Sequence, residues 1–400
     1  MVKKSTVRAH RPKATLSAPI PPEICAIICD MVADRRGLLI LCRMSSTFRA
    51  QAQRLLYHSI DLSDQPIRKY VWAAAVSKHA YLAEFVHSLV LRLPDMVSLE
   101  ASTANKLGRA LSKCVNLKEL RILAEGTGSV VAAGHNSFYG WMLNKCSFRL
   151  THFENQYFDD TIIRDFWRKQ SELLVVSSEH NVCAMDPDLG LLPQVIAFNT
   201  NHMGNLPVER PLQRIETRVC NNLNPLKQYE ATLTTLNLTQ IWINRDFPIG
   251  AVIKVVAETL PNLVHLGIIE EDRCRDNTYH PTGATSKAIL QKFTKLQTFL
   301  LQLQDTWRFV IQGASDTQHA LTSPTTVCDL GREIMTVCPT LRQTAIHVKI
   351  FGMDVCVLTR PQPGGTIREV PGPWPGIGVF SMFWKPANIL LPVHQDWNPR

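Results

Sequence analysis

The chain has 400 residues, enough for one large domain or for two to three ordinary ones with a sizeable buried core. Its hydrophobic fraction of 45% and mean hydropathy of -0.04 are typical of a globular protein, and no apolar run approaches the roughly 18–20 residues of a membrane-spanning helix. Much of the formal net charge of +9 lies in the first thirteen residues, which precede the first acid, Glu23. We therefore expect neither a membrane nor a nucleic acid as partner.

The eleven cysteines are scattered along the chain without a repeating spacing. They are too dilute for a disulfide-stabilised scaffold, and the polar, basic start of the chain lacks the apolar core of a secretion signal. We predict free, mostly buried thiols and a location in the cytoplasm, the nucleus or both.

Residues 1–17 are predicted to be a disordered basic tail, and residues 18–62 a helical module. Proline at Pro21 and Pro22 suits the first turn of a helix, and Ser45 or Ser46 can cap a later one. Apolar residues recur at helical spacing in three short segments: Ile24, Ile27, Ile28, Met31 and Val32; Leu38, Leu39, Leu41 and Cys42; and Phe48, Ala52, Leu55 and Leu56. So small a module cannot bury all of these groups itself, so the remaining apolar face packs either on a partner or on the rest of the chain.

From Val86 onward an L-x-x-L-x-L pattern recurs, in which other apolar residues or threonine replace some leucines. Its last two positions share one face of a strand, and its first position lies in the turn before that strand. The clear copies are Val86/Leu89/Leu91, Leu117/Leu120/Ile122, Leu233/Leu236/Leu238, Leu263/Leu266/Ile268 and Leu296/Phe299/Leu301. Weaker copies are Leu192/Val195/Ala197, Leu212/Ile215/Thr217 and Leu341/Thr344/Ile346, and degraded ones occur at Leu150/Phe153 and Leu173–Val176.

Helices are predicted between several of these strands, at Glu100–Lys113, His135–Lys145, Ile249–Leu260 and Thr326–Val337. A strand followed by a helix every 20 to 33 residues or so is typical of a leucine-rich-repeat solenoid. The fold class is therefore α/β, with an irregular solenoid, or horseshoe, over residues 63–360. The alternative is an ordinary α/β domain in which the pattern is fortuitous.

Residues 361–400 begin with a stretch rich in proline and glycine and continue with the apolar, tryptophan-bearing segment Val379–Trp384. We expect this segment to cap the open end of the solenoid, which otherwise exposes an apolar edge. The alternative is a loose tail that carries a binding motif.

The helical module resembles the F-box, in particular the diverged F-box-like modules abundant in fungi. Ile20-Pro21-Pro22-Glu23-Ile24 stands where that family has Leu-Pro-x-Glu followed by an apolar residue. Leu38-Leu39-Ile40-Leu41 matches the leucine run of the second helix, and Met44–Arg49 is similar to the Val-Cys-Lys-x-Trp-Arg ending, with Phe48 in the aromatic position. Isoleucine at the opening and the replacement of Val-Cys and Trp depart from the family pattern.

The resemblance implies a substrate receptor of a Skp–cullin–F-box ubiquitin ligase, whose chemistry lies in partner proteins. The helical module would dock on a Skp-type adaptor in the cullin complex, and the repeat domain would bind a protein substrate of unknown identity. The adaptor-facing or supporting residues would be Ile20, Pro21, Ile24, Leu38, Leu39, Leu41 and Phe48. The alternative is an F-box-derived repeat scaffold without ligase association.

Residues that alternate with the inward leucines are predicted to line the target-binding face of the sheet. Those selected by this alternation are Arg92, Glu119, Arg121, Arg214, Glu216, Arg218, Asn237 and His265. The arginines suggest carboxylates or a phosphorylated segment as ligand, whereas scattered surface charge is the simpler interpretation. No nucleotide-binding, zinc-binding or nucleophile motif occurs, so we expect a non-catalytic protein without cofactor or metal.

Overall fold

A computed structural model describes residues 20–64, 66–94, 99–124, 139–178, 192–218, 223–241, 249–270, 285–303, 308–309, 311–312, 319–320, 324–348 and 356–370. The predicted basic tail and the Trp-bearing part of the C-terminal segment lie outside these residues.

Three short helices open the described chain: α1 (Pro22–Met31), α2 (Arg35–Met44) and α3 (Ser46–His58). The side chain of Asp34 accepts a hydrogen bond from the backbone N–H of Gly37 at 2.8 Å and so caps α2. Ser45 caps α3 in the same way through the N–H of Phe48 at 3.2 Å. Helix α3 therefore begins at the serine cap that the sequence predicts, whereas α2 begins earlier, at Arg35, because the Asp34 side chain satisfies one of its first free amides.

These helices have a hydrophobic core of their own. Its buried members are Cys25 and Cys29 of α1, Leu38 of α2, and Phe48, Ala52 and Leu56 of α3. An ion pair between Arg54 and Asp30 joins α3 to α1 at the surface. We call this unit, residues 20–58, the helical module.

The remaining elements alternate strands with helices along the chain. The strands that form the main sheet are β1 (Ser59–Leu62), β2 (Ser88–Leu93), β3 (Glu119–Ala124), β4 (His152–Asn155), β5 (Val175–Ser178), β6 (Ala197–Thr200), β7 (Arg214–Arg218), β8 (Thr235–Ile241), β9 (His265–Glu270), β11 (Thr298–Leu303), β15 (Gln343–Val348), β16 (Cys356–Thr359) and β17 (Arg368–Glu369). The helices are α4 (Pro66–Lys78), α5 (Ala80–Glu84), α6 (Ala101–Lys113), α7 (Trp141–Asn144), α8 (Arg164–Lys169), α9 (Ile249–Thr259), α10 (Lys287–Leu290) and α11 (Pro324–Val337), with 3₁₀ turns at Met203–Asn205 and Asn224–Tyr229. Four two-residue strands form two separate pairs: β10 (Thr285–Ser286), β12 (Arg308–Phe309), β13 (Ile311–Gln312) and β14 (His319–Ala320).

The main sheet has 13 strands, and their order in space is their order in the chain. All neighbours from β1 to β15 are parallel, whereas β16 and β17 are antiparallel to the strands they join. A parallel sheet with sequential order and helical crossovers is the arrangement of a leucine-rich-repeat-like solenoid, in which each unit contacts only its neighbours.

The strand register stacks the inward residues of the repeats into continuous columns. One column contains Leu89, Leu120, Phe153, Val176, Phe198, Ile215, Leu236, Leu266 and Phe299. These residues and the inner sides of the helices form a single core that runs the length of the sheet. The first leucines of the clear copies, such as Leu117 and Leu263, are buried in the same core, which confirms the predicted pattern.

Polar residues replace leucine in the neighbouring inward column from β4 to β7, at Asn155, Ser178, Thr200 and Thr217. Asp160, in the turn after β4, is buried among them. Its carboxylate accepts hydrogen bonds from Asn155 at 2.9 Å, from the indole of Trp167 at 3.1 Å and from Ser178 at 2.6 Å. These bonds explain why Asn155 and Ser178 are tolerated here, since both have a partner inside the core, whereas Thr200 and Thr217 bond to the backbone carbonyls of His202 and Arg218.

The structure differs from the sequence predictions in several places. The weak copy at Leu192/Val195/Ala197 is shifted by three residues, because Val195, Phe198 and Thr200 occupy the inward positions instead. The helix predicted at His135–Lys145 is observed only at Trp141–Asn144; residues 135–138 lie outside the described residues. Strand β1 belongs to the sheet rather than to the helical module, and β17 extends the sheet beyond residue 360.

The prediction that all thiols are free is wrong for two of the cysteines. Cys328 of α11 and Cys356 of β16 form a disulfide. Six other described cysteines are free, and all except the half-buried Cys42 are buried.

Candidate interaction surfaces

The helical module exposes much of its apolar surface, although it has a buried core. Two stripes of large apolar side chains, each between 45% and 80% exposed, lie on α1 and the two residues before it, and on α2. They consist of Ile20, Ile24, Ile27 and Met31, and of Leu39, Ile40 and Met44. The first stripe has the spacing of one helix face, so its side chains lie next to one another rather than scattered over the surface. We call the seven residues of the two stripes together the ridge.

The structure separates the predicted adaptor-facing residues into two groups. Ile20, Pro21, Ile24 and Leu39 are exposed and accessible to a partner. Leu38 and Phe48 are buried in the core of the module, and Leu41 is half-buried against it. Only the exposed group is therefore available for direct contact, while the others support the helices that present it.

All eight residues selected for target binding lie on one face of the sheet, opposite the helices. We call this the far face. Its residues alternate with the inward columns, so that Glu119 pairs with Ser88, Arg121 with Val90, and Glu216 with Asn237. The register thus places the whole set on one face of the sheet, and its role in target binding stays a prediction.

Arg121 on the far face has a partner that the sequence analysis did not select. Its Nε donates a hydrogen bond to a carboxylate oxygen of Glu154 on the adjacent strand β4. The second carboxylate oxygen of Glu154 accepts from the side-chain amide of Gln156 at 2.9 Å. The arginine remains more than half exposed, so the pair is open to a ligand from one side.

Glu216 lies at the centre of a second polar group on the far face. Asn199 donates to one of its carboxylate oxygens at 3.4 Å, and Asn237 donates to the other at 3.3 Å. Burial nevertheless raises the pKa of Glu216 to about 7, against the opposing effects of Asn237 and of the charge on Arg214. Burial also lowers the pKa of Arg214 to about 10, which shows that desolvation outweighs the attraction between the two charges.

The far face is accessible at its N-terminal end and buried at its C-terminal end. Arg92 and Arg121 are exposed, Arg218 and His265 are half-buried, and Arg214 and Asn237 are buried. Further along, Leu300, Ala345 and Val357 are buried on this face although they do not belong to the helix-side core. Every residue of β11 is buried. On β5, β6 and β7 the far-face residues Val175, Ala197 and Arg214 are also buried, so the accessible part of the far face is the stretch from β1 to β4.

His152 on β4 is a titratable group of this stretch whose environment alters its pKa. Burial lowers its pKa, and the nearby carboxylate of Glu119 opposes the shift. The unfolded chain therefore takes up a proton at His152 first as the pH falls through about 6.5, and folding is disfavoured below that value.

When the pH is lowered from 7.5 to 5.5, we expect the free energy of unfolding to decrease less in His152→Gln than in the parent. Urea unfolding at the two pH values measures the difference, and His79→Gln, at an exposed histidine of the helix-side surface, is the control. Equal losses for the parent and both variants would show that His152 does not couple folding to pH.

Residues that the sequence analysis missed lie where repeats are degraded or misaligned. Glu154 follows the degraded copy at Leu150/Phe153, and Asn199 belongs to the copy whose register was wrong by three residues. Strict alternation from Phe153 and Phe198 would have identified both. Among the described residues no cluster of three or more His, Cys, Asp or Glu side chains is arranged to hold a metal ion.

No protein-family model and no curated protein matches the chain. Among solved structures, it is similar to the leucine-rich repeat-containing protein LegL7 from Legionella pneumophila, at 12% identity and a TM-score of 0.40, over 72% of this chain and 90% of that one. The repeat-like architecture of the present chain rests on its own strand order and inward columns. Within the part of the chain that the structure describes, no helix has the length and apolar character needed to cross a membrane.

Proposed function

We propose that this protein is a non-catalytic adaptor that joins two other proteins. The helical module docks on a Skp-type adaptor of a cullin ubiquitin ligase, and the far face of the repeat domain binds the protein target. The observation that carries this proposal is the exposed apolar ridge on a module that already has its own buried core.

The ridge supports docking because its exposure has no explanation within the module. Met31 is 80% exposed and Ile40 is 62% exposed, yet the three helices pack on other side chains of the same helices. Covering such side chains with a partner is favourable by about 25 cal/mol for each Å² of apolar surface removed from water. The similarity of Ile20–Leu62 to the F-box supplies the class of partner.

The target side is proposed at the accessible stretch of the far face, where charged groups of both signs lie on adjacent strands. Arg92 and Arg121 are exposed there, and Glu119 and Glu154 lie close by. Because Arg121 already contacts Glu154, the stretch presents paired charges and amides rather than a purely basic patch. Such a surface suits a protein segment that carries both acidic and basic side chains.

The second candidate is a scaffold that binds the target but no ligase. The observation that favours it is the departure from the family pattern at Met44–Phe48, together with the burial of Phe48, whose aromatic ring is turned into the module. Target binding on the far face is common to both candidates, so adaptor binding separates them.

The deciding experiment introduces one charge on the ridge. We expect Leu39→Asp to reduce binding to a purified Skp-type adaptor by at least about 100-fold, because an ionised carboxylate cannot be desolvated in an apolar interface without a partner. Leu39 is 49% exposed and outside the core, so the module should keep its stability. Isothermal titration calorimetry gives the affinity, and circular dichroism checks the helices.

Val115→Asp is the matched control, since Val115 is 51% exposed on the repeat domain and distant in sequence from the module. It should bind the adaptor as the parent does. Absence of binding by the parent itself would leave the scaffold as the function, and equal binding by parent and Leu39→Asp would exclude the ridge as the docking surface.

A further inference from the structure

The C-terminal end of the repeat domain is built differently from the rest. After β15, the strand β16 reverses direction and pairs antiparallel along the sheet edge, from Gln343↔Thr359 to Ile346↔Cys356. Strand β17 then adds to β16. We call α11, β16 and β17 the terminal cap, because they cover the last parallel strand and its otherwise free backbone groups.

Non-covalent contacts join α11 to the two reversed strands at three places. The guanidinium of Arg360 donates to the carbonyl oxygens of Met335 at 2.7 Å and Pro339 at 3.1 Å. Gly331 lies so close to Leu358 that a Cβ atom there would be 2.7 Å from a Leu358 methyl group. Arg332 forms an ion pair with Glu369 of β17 at 3.2 Å.

A covalent bond reinforces these contacts. The disulfide joins Cys328 of α11 to Cys356, the first residue of β16, with the two Cα atoms 5.7 Å apart. That separation lies in the ordinary range for disulfides. The bond therefore fixes the start of the reversed strand to the helix that lies beneath it.

Three of the other described cysteines are unsuited to this chemistry. Burial raises the pKa of Cys114 and Cys146 to about 12 and that of Cys338 to about 11, so these thiols stay protonated. Cys328 and Cys356 differ because they face each other at the end of the sheet, where opening needs only the loss of local contacts. Among the eight cysteines that the structure describes, this pair is joined and six are free. In a reducing compartment such a bond is usually transient or redox-sensing.

We propose that the Cys328–Cys356 disulfide is a redox-controlled clasp of the terminal cap. A low-molecular-weight disulfide such as oxidised glutathione closes it: two thiols lose two electrons and two protons, one S–S bond forms, and two reduced glutathione molecules leave. Reduced glutathione reverses the step. In the reduced state β16 and β17 separate from α11 while the preceding repeats stay folded. The proposal does not depend on adaptor docking.

The test measures bond formation and local opening together on the full chain. The protein is equilibrated with glutathione buffers of increasing reduced fraction, and the thiols are blocked and counted by mass spectrometry. The same samples undergo hydrogen–deuterium exchange. We expect the disulfide-linked Cys328–Cys356 peptide to disappear as the buffer becomes more reducing, with the dependence on redox potential of a two-electron reaction. Hydrogen–deuterium exchange in β16 and the neighbouring turns of α11 should then accelerate at least about tenfold. Exchange in β2 to β4 should stay unchanged.

One variant that cannot form the disulfide and one control variant test whether the change in exchange depends on this bond. Cys356→Ser should show the fast exchange of β16 under all buffers, whereas Cys338→Ser, at a free buried thiol beside the same helix, should respond as the parent does. If Cys356→Ser does not fold, the parent reduced by a phosphine replaces it.

Three outcomes would overturn the clasp. One is that no Cys328–Cys356 peptide forms at any glutathione ratio. Another is that exchange in β16 is the same in both redox states. The third is that exchange accelerates equally along the whole sheet, which would make the bond a general stabiliser.

Discussion

Replacing Asp160 by alanine is expected to lower the free energy of unfolding by about 3–5 kcal/mol. The carboxylate is buried between β4 and β5 and accepts hydrogen bonds from Asn155, Trp167 and Ser178. Alanine removes the carboxylate that these three donors share, and each hydrogen bond lost in a region that water does not reach costs about 1–3 kcal/mol. Urea unfolding followed by tryptophan fluorescence and by circular dichroism measures the loss.

Asp160→Asn is the matched control. The amide keeps the size of the side chain and one oxygen that can accept from Trp167 and Asn155, and the hydroxyl of Ser178 can rotate to accept from the new amide N–H. We therefore expect Asp160→Asn to lose less than half of what Asp160→Ala loses. A loss below about 1 kcal/mol for Asp160→Ala would show that this network does not hold β4 and β5 together.

Glu216→Gln is expected to make the protein more stable at pH 8, by on the order of 1–3 kcal/mol. Burial raises the pKa of Glu216 to about 7 in the folded state, far above the 4.5 of a free side chain. The folded protein therefore holds this proton more tightly than the unfolded chain, and stability is lost as the pH rises from about 4.5 through about 7. A neutral amide avoids that loss.

The sign of the pH dependence distinguishes this effect from general changes. Near pH 5 the carboxyl is protonated in the folded state, so parent and Glu216→Gln should have similar stability there. The difference in stability between Glu216→Gln and the parent should increase as the pH rises from 5 to 8. Thermal unfolding across that range measures it, and a stability difference that does not change with pH would contradict the inferred burial of the charge.

The same variant bears on target binding. A buried carboxyl group with a raised pKa is a candidate for function. If the far face binds the target through Glu216, Glu216→Gln should bind more weakly while being more stable. A pull-down with the identified target, compared with Val115→Asp as a surface control, tests this.

The sequence predicted the strands of the regular repeats well, for a simple physical reason. Where leucine or isoleucine fills both inward positions, as at Leu120 and Ile122, period-two burial is visible in the sequence. It fades where Asn155 and Ser178 take an inward position, because the Asp160 network satisfies groups that a pattern of apolar residues cannot anticipate. At Ala197 a buried apolar residue on the far face led to the wrong register.

The sequence predicted on which face of the sheet the candidate residues lie, but not how exposed each one is or which residue it contacts. Alternation placed Arg121 and Arg214 on one face, yet it carries no information on what covers each position, and only Arg121 is exposed. The partner of Arg121, Glu154, comes from a different repeat and so is a non-local contact. In the helical module, the spacing identified Leu38 and Leu39 together, whereas helix packing decides that only Leu39 meets solvent.

The sequential strand order also gives the distance along the sheet between any two strands. Neighbouring strands of a sheet are about 4.8 Å apart, so the six steps from β1, where α3 enters the sheet, to β7, which carries Glu216, span roughly 29 Å along the sheet. A target contact at Glu216 would thus lie six strands away from the point where α3 enters the sheet, whereas a contact at Arg121 on β3 would lie only two strands away. A fluorescent label on each bound partner would distinguish these two positions by the distance between the labels.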